Sequence, residues 1–487
     1  MKHAPRWSLV VLALVLTVQV ATHLAWLPIS AHSGQVAIPW MMNQGRTLFG
    51  DVLEQHAPGS SLLGAAAQRI LPAAEPVQAA RLANLALVLA TTAGVWALAG
   101  WVGGAAAAVL AALVWFWWEP VYGNVLLYFD SILGAALVGA ALLWIALHRR
   151  GPGWLAPLLT GALLGAATLA KQHAWAAVIL VGAWLLAYYP RRRLLWFAGG
   201  ALLLPLLALL VTAAQGTLAN YIYWTWTFNF SGLMPAEPLS GDFLRKLLLT
   251  NALVPAFALL ALRPGRARRW QALLLLLWLA GSSTLAPRPG EVHAMGQLPA
   301  LAALSGLALA ALWAQARGWR AGQPLGRWLR ALDAAQAVLL GVLIAGGAAW
   351  LWTGAAAYGR GPVATPAHDE FAPIAADLRQ RAAPGDTLFV LPQTDSTPQL
   401  HPLSGLLPPG TWVKGWRWYL AAPGVLATLL TEWETDPPAY IVYFPDLIAE
   451  GLPEIAPLVA FMEARYTPAT VYPDIPFHGP ARLYRLR

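Results

Sequence analysis

Five clusters of arginine and lysine punctuate the first three quarters of this chain, each set between long apolar runs. They are Lys2 and Arg6, Arg149–Arg150, Arg191–Arg192–Arg193, Arg263/Arg266/Arg268/Arg269 and Arg317/Arg320/Arg327/Arg330. An apolar run of about 20 residues spans a bilayer as a helix, and basic residues gather in the loops on its cytoplasmic side. Placing all five clusters on that side orients every span without contradiction. Asp51, Glu54, Glu75, Glu119, Asp130, Glu237, Asp242 and Glu291 then fall on the outer side, and Asp333 alone falls inside. Composition agrees, since 58% of the residues are hydrophobic, only 11% are charged, and the 26 Trp suit membrane–water interfaces. The net charge of +9 is therefore topogenic, which sets nucleic acid aside as a partner. With no cysteine, thiolate nucleophiles, disulfides, iron–sulfur clusters and Cys-based zinc sites are excluded.

The first run, SLVVLALVLTVQVATHLAWL, is longer than the apolar part of a signal peptide and lacks a small-x-small cleavage site. It reads as an uncleaved span from cytoplasm to outside. Further spans of roughly 17–24 residues fit at 79–99, 102–118, 130–147, 154–170, 173–189, 194–214, 246–262, 270–286, 292–314 and 334–354. Gly100–Gly104 predicts a tight hairpin, and the pair around Lys171 reads as two helices with a turn or as one broken helix. About eleven spans with the N-terminus inside put the C-terminus outside. The expected fold class is a polytopic α-helical membrane protein, with a transmembrane domain at 1–358 and a first outer loop at 30–78. Residues 359–487 are expected to form a soluble extracytoplasmic α/β domain.

That last stretch holds 13 of the 22 acidic residues and no spanning segment. DEFAPIAADLRQRA, VLATLLTEWE and LPEIAPLVAFMEARY read as helices; GDTLFVL, AYIVYF and ARLYRLR read as strands. Alternation of this kind predicts a small α/β domain. It has no Gly-rich phosphate loop and no nucleophile elbow, so it is assigned no chemistry.

Ionisable residues at membrane depth are costly and point by default to function. Lys171, in GALLGAATLAKQHAWAA, is a point charge suited to phosphate, or a lysine snorkelling at a helix end. His173 reads as a structural hydrogen-bonder. Asp130 opens a span after an outer loop, where it serves as a helix N-cap or faces a metal or a cation. Glu119 ends WFWWE and reads as interfacial. Asp51, Glu54 and His56 cluster in the first outer loop, where a carboxylate can act as general base toward a hydroxyl or stand as a solvated charge. Arg288 and His293 bracket a short outer loop, with Arg288 a bidentate phosphate ligand or an interfacial anchor. The aromatic run YIYWTWTFNF reads as an interfacial belt or as the wall of a polyprenyl groove.

The order of these motifs resembles the GT-C superfamily. More narrowly it resembles the dolichyl-phosphate-mannose-protein mannosyltransferase-like and lipid A aminoarabinose transferase-like membrane proteins. Gly34–Gln35, Gly45, Asp51–Glu54 and Pro58–Gly59 match the family's first outer loop, and EPVYGNVLLYFD matches its second, with Asp130 as the acidic residue. GALLGAATLAKQHA is similar to a Gly-rich helix ending in Lys171–Gln172, and VHAMGQLPALAAL to a late span. The resemblance covers residues 1–350. It implies sugar transfer from a polyprenyl-phosphate donor to a glycan, lipid or protein acceptor at the outer face of a bacterial or archaeal plasma membrane. Asp51, Glu54 and His32 would be the catalytic candidates, and Lys171, Gln172, His56, Arg288 and His293 would bind substrate. A divalent ion, Mg or Mn, would sit by Asp130. One departure stands out, because His32–Ser33 occupies the place of the family's acidic pair. Either His32, Asp51 or Glu54 takes over as base, or the chain has kept the fold as a scaffold subunit or lipid-glycan-binding partner.

Overall fold

The computed structural model describes residues 5–25, 35–72, 74–122, 129–148, 152–234, 239–251, 254, 268–285, 291–320, 369–393, 396–447, 453–475 and 478–487. Among the described residues, four helices are long and apolar enough to cross a membrane: α1 (Arg6–Ala25), α4 (Pro76–Gly103), α6 (Phe129–His148) and α9 (Arg192–Ala214). Shorter apolar stretches accompany them: Ala105–Glu119 in α5 (Ala105–Tyr122), α7 (Leu155–Ala170), α8 (Ala174–Tyr188) and Leu298–Ala314 in the helix Leu298–Arg320. The chain is thus a multi-pass membrane protein. The span expected at 334–354 lies outside the described residues, as does most of that at 246–262.

Two expectations shift in detail. The hairpin predicted over Gly100–Gly104 narrows to one residue. Helix α4 runs on through Gly103, and Gly104 reverses the chain at φ 84°, a conformation that L side chains resist. Glu119, expected at the interface, is buried, with His23 Nε2 3.2 Å from its carboxylate.

In lipid, apolar surface does not by itself drive helices together, so close approach depends on small residues. Helices α7 and α9 show how. A Cβ on Gly200 would lie 2.0 Å from the Leu158 carbonyl oxygen, and one on Gly161 would lie 2.1 Å from that of Phe197. The two backbones touch.

At one end of the helices the first loop folds into a layer of its own, with α2 (Ala37–Asn43) against α3 (Gly59–Ile70) and the short strand β1 (Val52–Leu53) between them. The C-terminal region is built on a four-stranded sheet. Its strands are β2 (Leu388–Leu391), β4 (Tyr440–Tyr443), β5 (Tyr466–Ile475) and β6 (Gly479–Leu486), in the order β2-β4-β6-β5. Only the β2–β4 pairing is parallel. Helices Ala372–Arg381, Val425–Thr435 and Ala456–Arg465 fall where the sequence predicts them. Strand β5 was not foreseen, because an edge strand with most residues exposed and prolines at 468 and 473 carries little apolar alternation.

This region is not a detached appendage. Strand β3 (Trp412–Val413) pairs in parallel with β1, Trp412 N donates to Asp51 O at 2.7 Å, and Arg46 donates to the carbonyls of Pro408 and Gly410. Phe49, Trp224 and Phe228 share one buried cluster with Trp412, Tyr419 and Trp433. The aromatic run is therefore divided. Trp224 and Phe228 are core against Tyr419, while Trp226 and Phe230 are exposed.

The α7–α9 seam yields a paired test by thermal unfolding in micelles. Gly200→Ala, whose methyl meets backbone, is expected to cost about 1–3 kcal/mol. Gly199→Ala, with nothing within 4 Å of the added carbon, is expected to leave the melting temperature unchanged or raised. Equal melting temperatures would contradict this packing.

Candidate active site

The break between α7 and α8 is where the site begins. Lys171 leaves the helix with extended backbone, and His173 starts the next helix, so the two helices are separate and joined by a tight turn. Gly59, at the head of α3, packs so closely that a Cβ there would lie 2.7 Å from the Leu169 carbonyl. The first loop is thereby seated directly on the turn that carries Lys171.

Lys171 Nζ lies 3.2 Å from Asp130 Oδ2, and His293 Nδ1 lies 3.2 Å from the same oxygen. Asp130 belongs to the first turn of α6 and is fully buried, and Lys171 is nearly so. His293 belongs to the short helix Glu291–Ala294. One carboxylate thus gathers cationic or donor groups from two other elements. An ammonium carries three N–H donors, so it can hold Asp130 and a phosphate oxygen together.

Next to Asp130, Phe129 stacks on the His56 ring at 3.8 Å and nearly parallel. His56 Nδ1 lies 2.6 Å from Glu54 Oε1, which also accepts the His56 backbone N–H at 3.1 Å. Lys414 Nζ reaches Glu54 Oε2 at 3.1 Å from the C-terminal region, and the Tyr419 hydroxyl donates to Oε1 at 3.3 Å. Gln172 Nε2 donates to the carbonyls of Gln55 and Thr225, and Asn229 Nδ2 donates to the same two. Those amides tie the first loop to both the turn and the aromatic segment.

Burial pushes the His56 imidazole down to about 4, against the upward pull of Glu54 and with help from Lys414 and Lys171. The ring is therefore neutral at neutral pH. With Nδ1 so close to a carboxylate oxygen, its one proton sits there and Nε2 is the basic atom. Glu54 is held by Lys414, Tyr419 and His56 together, which fixes its carboxylate against the imidazole.

The structure brings together six of the nine residues singled out from sequence: Glu54, His56, Asp130, Lys171, Gln172 and His293. Asp51 has a different task. Its Oδ2 accepts the Thr47 N–H at 2.7 Å and closes the turn that holds Phe49 at φ 68°. His32 and Arg288 lie outside the described residues. Sequence reasoning missed Lys414 and Tyr419 because the C-terminal region was assigned no chemistry. A signal was present: the chain has four lysines in all, and Lys414 stands alone in the last 125 residues, within an apolar and aromatic stretch.

A divalent ion does not fit this arrangement. Among the described residues Asp130 Oδ1 has no hydrogen-bond partner, but an ammonium already stands at the other oxygen, and such ions take several oxygen ligands. Among the described residues no group of three or more His, Asp or Glu is placed to hold one.

No family model matches the chain, and no curated protein matches it by sequence. Solved structures do match. ArnT from Cupriavidus metallidurans bound to undecaprenyl phosphate gives a TM-score of 0.60 at 17% identity, over 99% of this chain and 98% of that one. The oligosaccharyltransferase AglB from Archaeoglobus fulgidus, in complex with an inhibitory peptide and a dolichol-phosphate, gives 0.58 at 14% identity, over 98% and 74%. The Archaeoglobus enzyme in complex with Zn and sulfate gives 0.53 at 13% identity, over 89% and 67%. This chain therefore has the fold of the GT-C membrane glycosyltransferases.

The state of His56 makes stability depend on pH. From 6.5 down to about 4 the unfolded chain binds a proton that folded His56 refuses, so its contribution falls as pH falls through that window. Below about 4 both states bind it and the loss stops. Wild type is expected to lose more melting temperature between pH 7 and pH 5 than His56→Gln. Parallel losses would show that His56 is not buried as described.

Proposed function

We propose that this protein transfers a sugar from a polyprenyl-phosphate-linked donor to an acceptor hydroxyl on the outer face of the membrane. The observation that carries the reading is the convergence of Lys171, Asp130 and His293 with the Glu54–His56 pair beneath the first loop. Solved relatives in fold hold undecaprenyl phosphate and dolichol-phosphate, which supports a lipid phosphate as the donor's anionic part.

In the reaction, Lys171 grips the phosphate as a point charge whose strength grows with the low dielectric around it. Asp130 keeps that ammonium and His293 in place. The acceptor oxygen forms its bond to the anomeric carbon while the bond from that carbon to the phosphate oxygen breaks. The electron pair leaves with the polyprenyl phosphate, and the acceptor proton passes to His56 Nε2, a task worth about 10²–10⁴ in rate. Glu54 stabilises the imidazolium that results. No step calls on a metal ion. The expected inverted configuration rests on the family resemblance.

A second reading follows from His32–Ser33 standing where the family has its acidic pair. Under it the chain binds the lipid-linked sugar and does no chemistry. Purified full-length protein in nanodiscs, given polyprenyl-phosphate sugars, separates the two. Under the transferase reading, Lys171→Met weakens donor binding at least tenfold, about 1.4 kcal/mol. His56→Gln lowers kcat by about 10²–10⁴ with little change in KM. Asp51→Asn loses stability and keeps kcat near wild type. Persistent lipid binding with no turnover for any donor would favour the scaffold. Undiminished binding by Lys171→Met would overturn both.

A further inference from the structure

The Glu54–His56 pair has a neighbour that the helical part of the chain does not provide. Lys414 follows strand β3, and its ammonium and the Glu54 carboxylate are both almost entirely out of water at 3.1 Å. Its backbone is fixed by the β1–β3 pairing one residue away and by Gly415 N donating to Gln393 O at 2.8 Å. Lys414 also lies 5.8 Å over the Tyr419 ring, whose hydroxyl touches Glu54 and accepts the Gln55 N–H. A lysine so placed has no solvent to share its charge with, and Glu54 is its counter-ion.

We propose that Lys414 is a positioning residue for glycosyl transfer: its ammonium keeps Glu54 ionised and aimed at His56 Nδ1, so that Nε2 faces the substrate without a proton. The inference rests on His56 being the proton acceptor. It adds that the C-terminal region completes the site, since the charge setting the proton state of the base arrives only when that region docks on the first loop.

The physical reason is competition for one carboxylate. His56 faces Glu54 from its own loop, Phe129 from α6, Lys171 from the α7–α8 turn, and Lys414 and Tyr419 from the C-terminal region. With Lys414 present, Glu54 is already matched, and a further proton on the imidazole would place a second cation on one carboxylate. Without Lys414, the buried anion loses the ammonium at 3.1 Å and draws more strongly on a proton at His56. The pair then takes up a proton at higher pH, on the ring or on the carboxylate. Both products end the neutral Nδ1–H form that leaves Nε2 basic.

The test is an NMR titration of nitrogen-labelled histidine in the full chain in nanodiscs, with His56 assigned by its absence in His56→Gln. The reading is the pH at which His56 leaves the neutral Nδ1–H form. In Lys414→Met this midpoint is expected to rise by about 1–3 pH units. Lys414→Arg, which keeps the charge, is expected to stay near wild type. An unmoved midpoint in a folded Lys414→Met protein, or an equal rise with Arg, overturns the proposal. Tyr419→Phe removes one donor and no charge, and a smaller rise is expected. If Lys414→Met does not fold, an unmoved Tyr419→Phe midpoint overturns it instead. Turnover distinguishes this inference from the reading beneath it. If the NMR midpoint rises in Lys414→Met and the acid limb of kcat rises with it, both stand. If the midpoint rises and the acid limb stays, Lys414 positions His56 but His56 is not the base.

Discussion

A carboxylate and an ammonium 3.2 Å apart, both shut away from water, hold the working end of this molecule together. Asp130 is on α6 and Lys171 is in the turn between α7 and α8, so their pairing couples two parts of the helical domain. Breaking a buried pair by removing one partner costs about 3–5 kcal/mol, because the other charge is stranded. Neutral packing would satisfy the fold equally well, which makes the retained charges informative. They cost desolvation, and buried charge at membrane depth points by default to function.

The same logic extends outward through Phe129. From Asp130 the stack passes to His56, then to Glu54, then to Lys414 in the C-terminal region. Each charge along that path has its opposite within hydrogen-bonding reach. The helices position Lys171, the first loop carries the imidazole, and the C-terminal region supplies the countercharge. The inter-region pairing of Val52 with Trp412 and the Arg46 clamp give that last contact a fixed register.

How much of this was legible in the sequence follows from which signals are local. Apolar helices were readable because the bilayer sets one length for a spanning run. Lys171, Asp130, Glu54, His56 and His293 stand out because charge is rare in such a chain, and the structure places them near one another. Asp51 was misleading: spacing puts it beside Glu54, but its carboxylate turns back to the Thr47 amide, a local hydrogen bond that spacing does not reveal. Lys414 was passed over because its meaning depends on a parallel β1–β3 pairing between segments some 360 residues apart. Strand β5 was missed for a related reason, since an edge strand gains its identity from β6 rather than from its own pattern.

A structure of the full chain with a polyprenyl phosphate bound tests the central claim most directly. The account predicts a phosphate oxygen at hydrogen-bond distance from Lys171 Nζ, about 2.7–3.2 Å, with His56 Nε2 facing the same space. A phosphate seated elsewhere, with the Asp130–Lys171–His293 group still closed on itself and out of reach, would contradict it.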